Sequence, residues 1–506
     1  MVKRDKLRKV VIFIAGALIV GAAVPGFCDN RKTLVICDDI TDLATMDPYH
    51  QYTEKNRGIL QQVYEELIRI NAEGKFEPIL AESWERINPL TVRFHLRPNI
   101  SFHNGEPFNA DAVDFSVHRA LNPATQFPGL PFISSISSAT VVNPLTVDIH
   151  THFPDGLLLH RLGIALLITP PKYIREKGEM SLQDTPIGTG PFIFDRWDKG
   201  RQIVLKANPQ YWRPGLPKVK ELKYLFLQNE KQQEEFFAGR VDFMTEMPGT
   251  LTLKAKENPH TDVMKRDTLY TVVGHFNTSK GPLSNRMVRQ AMNHAIDRLE
   301  IIRFDVLGNG RELASMTMPG EIGHNAGLKP YRFNIGLAKD LMKKAGYPDG
   351  FQMKAIARFH GARTAGIIAK QLEKIGITVS VTVAASDLDV MSALQKGDWD
   401  MGIAALPDPM AHSFFIQSLV LYSRSPFSLH HDPGYDKKME QMVSELDPEK
   451  QDKLGQELDK YIFDEALCLF TFQRIRTYGV SRRLRFRPSI TGNNYFETAD
   501  LVGSRP

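Results

Sequence analysis

The chain has 506 residues, 42% hydrophobic and 24% charged, which is enough for a large buried core and too long for one typical domain. Ordinary glycine and proline levels exclude a disordered or fibrous chain. The formal charge of +5 sits mostly at the front: residues 1–28 carry Lys3, Arg4, Lys6, Arg8 and Lys9 against Asp5, and without them it falls to +1, so charge gives no argument for nucleic acid or an anionic membrane as partner.

The front segment is basic, then uncharged and mostly apolar from Val10 to Val24, then broken by Pro25-Gly26. That is the pattern of a secretory signal peptide, and the apolar run is shorter than the roughly 20 residues a bilayer span requires. Cys28 could accept a lipid, but the bulky Phe27 stands where a lipoprotein signal has a small residue, whereas Gly26 and Cys28 suit ordinary cleavage after residue 28. The expectation is a periplasmic protein with residues 1–28 removed, lipid anchoring being the less favoured alternative. Cys37 and Cys468 remain, with no CxxC, and read as two buried thiols; a disulfide between them stays open in an oxidising compartment. No second apolar run of membrane length follows.

Thr33 to Cys37 (TLVIC) predicts a buried strand, followed by a loop from Asp38 to Tyr49. Ile59, Val63, Leu67 and Ile70 recur at steps of three and four and predict one helix. Thr91 to Leu96 alternates as a strand, and Ala110 to Ala120 is helical. The turn Pro186-Ile187-Gly188-Thr189-Gly190-Pro191 precedes a strand at Phe192–Phe194. Ile203–Leu205 and Leu222–Leu227 read as strands, and Glu230–Ala238 as a helix ending at Gly239.

Val288, Met292, Ala295, Ile296, Leu299 and Ile302 form one helical face, stopped near Gly308. Then come a strand at Phe351–Ala357, a helix through Ala365, Ile368, Leu372 and Ile375 closed by Gly376, a strand at Ile377–Val383, a helix at Asp387–Gln395 and a strand at Asp400–Ala405. Alternating strands and helices predict an open α/β sheet, whose ligands sit beyond the carboxyl ends of its strands. Those ends are Arg358-Phe359-His360, Ala384–Asp387 and Leu406–His412. There is no tandem repeat and no GxSxG, HExxH or Walker-type loop, and no Cys/His cluster has metal-ligand spacing. The missing motifs are on their own weak evidence against an exported enzyme, and no cofactor or metal is expected.

Several long stretches carry a resemblance: residues 81–123 (AESWERINPLTVRFHLRPNISFHNGEPFNADAVDFSVHRALNP), 186–212 (PIGTGPFIFDRWDKGRQIVLKANPQYW), 276–302, 397–409 (GDWDMGIAALPDP) and the tail from Tyr435 to Tyr478. In order and spacing they resemble the family 5 extracellular solute-binding proteins, the peptide- and nickel-binding receptors of bacterial ABC importers. The resemblance implies an α/β, two-lobed periplasmic-binding-protein fold of the large, three-subdomain type with a hinge. The first lobe would hold 29–70, 185–275 and 480–506, with 71–184 as its extra subdomain; the second would hold 276–479. The hinge would lie near Phe276-Asn277 and Tyr478. The implied partners are a small ligand, a peptide or peptide-like molecule first, and ABC permease subunits, with the receptor itself a monomer. A non-peptide ligand (organic acid, metal chelate, haem or sugar) and a signalling rather than importing role are the alternatives.

The resemblance also names site residues. Peptide receptors of the family hold the ligand's amino group with an aspartate at the position matching Ala405, beside an aromatic where this chain has Leu406. That departure puts a free amino group in doubt unless Asp408 or Asp387 substitutes, because a buried ammonium needs a carboxylate partner. Arg358 lies near the family's carboxylate-binding arginine and could grip an acid group bidentately; an ion pair is its plainer role. Asp47 and Tyr49 belong to a loop the family places in its cleft, Asp47 as a cation contact or a structural cap. Phe359 and Trp399 could stack on ligand or pack in the core. His360 and His412 are candidate contacts with loop hydrogen bonding as the alternative.

Overall fold

The computed structural model describes residues 32–38, 40 and 42–503. The expected signal peptide and Cys28 lie outside them. Among the described residues no helix is long and apolar enough to cross a membrane.

The largest sheet among the described residues has 11 strands. Its order is Ile377–Ala384, Phe351–Arg358, Met401–Pro407, Thr261–Phe276, Cys468–Ser481, Phe243–Met244, Thr33–Cys37, Glu221–Leu225, Gln202–Ala207 and Phe192–Asp198, with Gly310–Glu312 joined to the side of Cys468–Ser481. The strand–helix–strand pattern gives the parallel pairing it predicts: Phe351–Arg358 runs parallel to both Ile377–Ala384 and Met401–Pro407. At the other end, Thr33–Cys37 runs parallel to Glu221–Leu225 and to Phe243–Met244.

Two long strands join the ends. Thr261–Phe276 pairs with Cys468–Ser481 along most of its length, but the register shifts between Asp267 and Thr271. On one side of that shift the pair adjoins Phe243–Met244; on the other it adjoins Met401–Pro407. The crossing between the two ends therefore falls at Asp267–Thr271 opposite Gln473–Ile475. Phe276 is instead the far end of its strand, paired with Met401, and Tyr478 is a buried core residue. A bulge leaves backbone unpaired and bends the strand, which suits a crossing better than regular ladder does.

A separate four-stranded antiparallel sheet is made of Ala81–Asn88, Thr91–Leu96, Thr146–Thr151 and Ile136–Asn143. Helix Ala110–Leu121 packs on it, capped by Asn109, whose side chain accepts from Ala112 N–H. The apolar interior of this unit runs on into residues such as Met410, Phe415, Tyr435 and Leu458, so 71–184 shares a core with part of 276–479. Phe132 stacks on Phe415 at 5.3 Å, and Arg161 lies 5.0 Å above the Phe414 ring.

Two helical expectations change. The stripe Ile59, Val63, Leu67, Ile70 is not one helix: the helix is Glu54–Leu60, and Ile68–Ile70 is a strand. Tertiary pairing overrides the periodicity, because the carbonyls of Gln62 and Val63 accept from Phe192 and Gly190 N–H. Gly188 and Gly190 permit this approach: a Cβ on Gly188 would lie 2.0 Å from the Val63 oxygen. The stripe from Val288 to Ile302 is likewise two helices, Arg286–Ala295 and Arg298–Asp305, since Asp297 caps the second by accepting from Glu300 N–H. Cys37 and Cys468 are buried free thiols, and burial pushes Cys37 up to about 12.

Candidate ligand cleft

Where the two ends of the sheet face each other, charged side chains converge. From the first-strand end come Asp38, Lys55 on helix Glu54–Leu60, Thr245 and Glu246; from the crossing strand comes Arg476. With Tyr224, Asn494 and Phe496 they line a cavity of ≈ 40 Å³. That is room for roughly two or three water molecules, so its walls nearly meet. The end of strand Phe351–Arg358 and the turn Phe359–Gly361 do not line it, but Arg358 and His360 there lie close enough to interact with Lys55.

The electrostatics link these groups. Glu246 Oε2 accepts from Arg474 Nη2 at 2.7 Å, and Glu246 Oε1 lies 3.5 Å from Arg476 Nε. Burial pushes Glu246 up, but Arg474, Arg476 and Lys55 outweigh it and hold the carboxyl below its usual range. Burial pushes Lys55 down; Arg476 and Arg358 add to that, while Asp38 and Glu246 oppose it. Asp38 accepts from Thr245 Oγ1 at 2.7 Å, and burial raises its carboxyl despite Lys55 and Arg476. His360 is lowered first by burial, then by Arg358, Lys55 and Arg474 against Glu246. Arg358 and His360 thus interact with Lys55, and His360 also with Glu246.

Of the residues singled out in the sequence, Arg358, Phe359 and His360 stand together at this cleft; Arg358 is half-buried and Phe359 is 73% exposed. Ala405 and Leu406 lie in strand Met401–Pro407, opposite Val272 and Thr271. Ala405 is buried and its carbonyl accepts from Tyr270 Oη at 3.2 Å; Leu406 packs against the large core.

Burial puts the remaining candidates on the structural side, as the cap, core and loop alternatives for Asp47, Trp399 and His412 had it. Asp47 is fully buried, its oxygens accepting from Arg119 Nη1 at 3.1 Å, Arg119 Nη2 at 2.6 Å and Tyr49 N–H at 3.0 Å. Tyr49 is buried with its hydroxyl donating to the Leu167 carbonyl at 2.6 Å. Asp408 is sealed, accepting from Met410 and His412 N–H and facing Glu321, so it cannot replace the acid missing at Ala405. His412 is buried against His160 with ring centroids 5.1 Å apart, and burial pushes it down to about 3. Trp399 packs with a small cluster around Ile356 and Leu429 and donates its indole N–H to the Ala393 carbonyl. Each is a core or loop-closing group.

Sequence reasoning missed Asp38, Lys55, Glu246, Tyr270, Arg474 and Arg476. A signal existed for the two arginines. In the strand CLFTFQRIRTYGV, charges two residues apart fall on one face of an otherwise apolar run, and such a strand carries buried charge only where something uses it.

Comparison with known proteins agrees with this architecture. The model of the bacterial extracellular solute-binding proteins, family 5 Middle, matches residues 75–425. The chain belongs to that family. It is therefore a solute-binding protein of the ABC-importer type. The glutathione-binding protein GsiB of Escherichia coli O6:K15:H31 (strain 536 / UPEC) is 26% identical over 395 residues, 76% of each chain. The Helicobacter pylori periplasmic binding protein DppA, solved with the peptide STSA, superposes with a TM-score of 0.77 at 23% identity, covering 93% of this chain and 98% of its own. NikA from Brucella suis, solved with Fe(III)-EDTA, reaches 0.81 at 23% identity, covering 93% and 99%. At these identities the two structures establish the fold. Lys55, Arg474 and Arg476 all lie outside the matched residues 75–425.

Proposed function

We propose that this protein is a periplasmic receptor, not an enzyme, which captures a small carboxylate-bearing solute between the two ends of its sheet and presents it to an ABC permease. A peptide or peptide-like molecule is the first choice. The observation that carries this reading is the position of Arg358: it ends a parallel strand, at the edge where open α/β sheets bind ligands, and interacts with Lys55. A guanidinium there can take a carboxylate through two parallel hydrogen bonds. Neither Ala405 nor the sealed Asp408 offers a carboxylate to an amino group, so in this reading the acid end of the solute is what the cleft grips. GsiB, a glutathione-binding protein, and DppA, solved with a peptide, support this choice.

The lobes in this reading meet at the register shift Asp267–Thr271 and at Gln473–Ile475, where closure would bend the paired strands. A non-peptide organic acid is the second reading, favoured by the apolar side chain at Ala405 in a cleft holding Lys55, Arg358, Arg474 and Arg476.

A thermal-shift screen of the exported protein against di- and tripeptides, organic acids, sugars and metal chelates tests both. A ligand at 100 times its dissociation constant stabilises by about 2.7 kcal/mol. A shift with peptides supports the first reading, one with acids alone the second, and one confined to sugars overturns both.

A further inference from the structure

Arg474 and Arg476 occupy alternate positions of the strand Cys468–Ser481, at the register shift where the two ends of the sheet join. Both lie over the ring of Tyr270, at 5.5 and 5.9 Å, and Tyr270 in turn is bonded to the Ala405 carbonyl. Glu246 holds the pair in place from the other side. Arg474 commits Nη2 to this carboxylate; among the described residues its other guanidinium nitrogens have no hydrogen-bond partner, and its side chain is 30% exposed. Lys55 lies close enough to depress Glu246, and His360 feels Arg474. Asp38 and Asp305 are further carboxyls here: burial raises both, opposed by Lys55 and Arg476 at Asp38 and by Arg363 and Arg474 at Asp305.

We propose that Arg474, with Arg476 and Lys55, forms a second acid-binding subsite on the crossing strand, so that the solute carries two acid groups: one for Arg358 and one for this subsite. A guanidinium with open donors, fixed by a ring on one face and a carboxylate at one corner, is pre-organised for an oxyanion. Its place on the crossing strand also explains the selectivity such a receptor needs. The second acid engages the segment that must bend, so a monoacid fills the cleft without engaging the hinge. The proposal rests on Arg358 taking the first carboxylate.

Isothermal titration of the exported protein with Ala-Glu, the near-isosteric Ala-Gln and citrate tests it, in the wild type and in Arg474→Gln, Lys55→Gln and Arg358→Gln. The expected result is a preference for Ala-Glu over Ala-Gln of about tenfold or more, the ordinary worth of one charge-assisted contact. Arg474→Gln and Lys55→Gln should reduce Ala-Glu binding toward the Ala-Gln level, whereas Arg358→Gln should weaken both dipeptides alike. If only citrate binds, and Arg474→Gln weakens it, the peptide reading falls and the subsite stands. Equal affinity for the two dipeptides overturns the subsite and leaves the receptor reading intact, as does a preference that survives Arg474→Gln. Binding of none of the three overturns both.

Discussion

Two regions of this molecule are dense in ionisable groups, and they are built in opposite ways. At the junction of the four-stranded unit with the second end of the sheet, Asp408, Glu321, His412 and His160 are all buried and enclosed by one another and by backbone N–H groups. At the cleft, Lys55, Glu246, Arg358 and Arg474 are half-exposed, and their charges act on one another or on His360. The first arrangement closes a loop, and the second leaves charge where a solute can reach it. A charged residue at a strand end becomes a binding group only if the fold leaves it accessible, and that depends on what packs over it.

The comparison breaks most visibly at Asp47, which belongs with the enclosed kind. Removing Arg119 would strand a fully buried carboxylate that two guanidinium hydrogen bonds now satisfy. Arg119→Ala is expected to cost about 3–5 kcal/mol of stability, read as the midpoint of urea unfolding. A variant that unfolds like the wild type and binds solute more weakly would move Asp47 to the cleft.

Arg358 is the converse case. Arg358→Ala should lower affinity for the screened solute by about tenfold or more while changing stability by no more than about 1 kcal/mol. Calorimetric titration beside a thermal melt measures both. A large loss of stability with unchanged affinity would make Arg358 a structural ion-pair residue.

The sequence makes this division only partly legible. Residues 351–407 could be read almost strand for strand, because period-two and period-3.6 patterns survive wherever one face is buried. The stripe from Ile59 to Ile70 misled, since its carbonyls serve a strand more than a hundred residues later, and no local pattern reports a distant partner. Strand ends pointed to Arg358, Phe359 and His360, which the fold leaves half-buried or exposed at the sheet's edge. They pointed equally to Asp408 and His412, because the subsequent burial depends on His160 and Glu321, distant in sequence. Lys55 and Glu246 carry no local signal at all; they are cleft residues only because Thr33–Cys37 lies between Glu221–Leu225 and Phe243–Met244.

The junction should also show itself in pH. Burial pushes Asp408 up to about 7 and Glu321 well above its usual range. For acids raised on folding, the stabilising contribution is complete below the unfolded value near 4 and is lost as pH rises through about 7. His412 and His160 are lowered, so their contribution is complete above about 6.5 and is lost only on acidification. Between pH 6.5 and 8 the carboxyls therefore govern, and the wild type should melt lower at pH 8. Glu321→Gln keeps an amide donor toward Asp408 and removes the Glu321 titration. It should reduce that slope, with Asp408 and Glu65, each pushed to about 7 by burial, supplying the rest. An unchanged slope would place the titration elsewhere.

The smallest effect sharpens the cleft itself. Phe359 is 73% exposed and touches His360, with ring centroids 5.8 Å apart, rather than the core. Nothing in the fold requires an aromatic there, so Phe359→Ala should leave the melting midpoint within about 0.5 kcal/mol of wild type. If the ring closes over a bound solute, affinity should fall by about threefold to tenfold, the ordinary worth of one aromatic contact. Such a loss with peptides but not with a compact acid such as citrate would show that the ring reaches the solute's far end. A loss with both would place it over the acid group beside Arg358, and no loss with either would leave Phe359 an exposed side chain outside the binding surface.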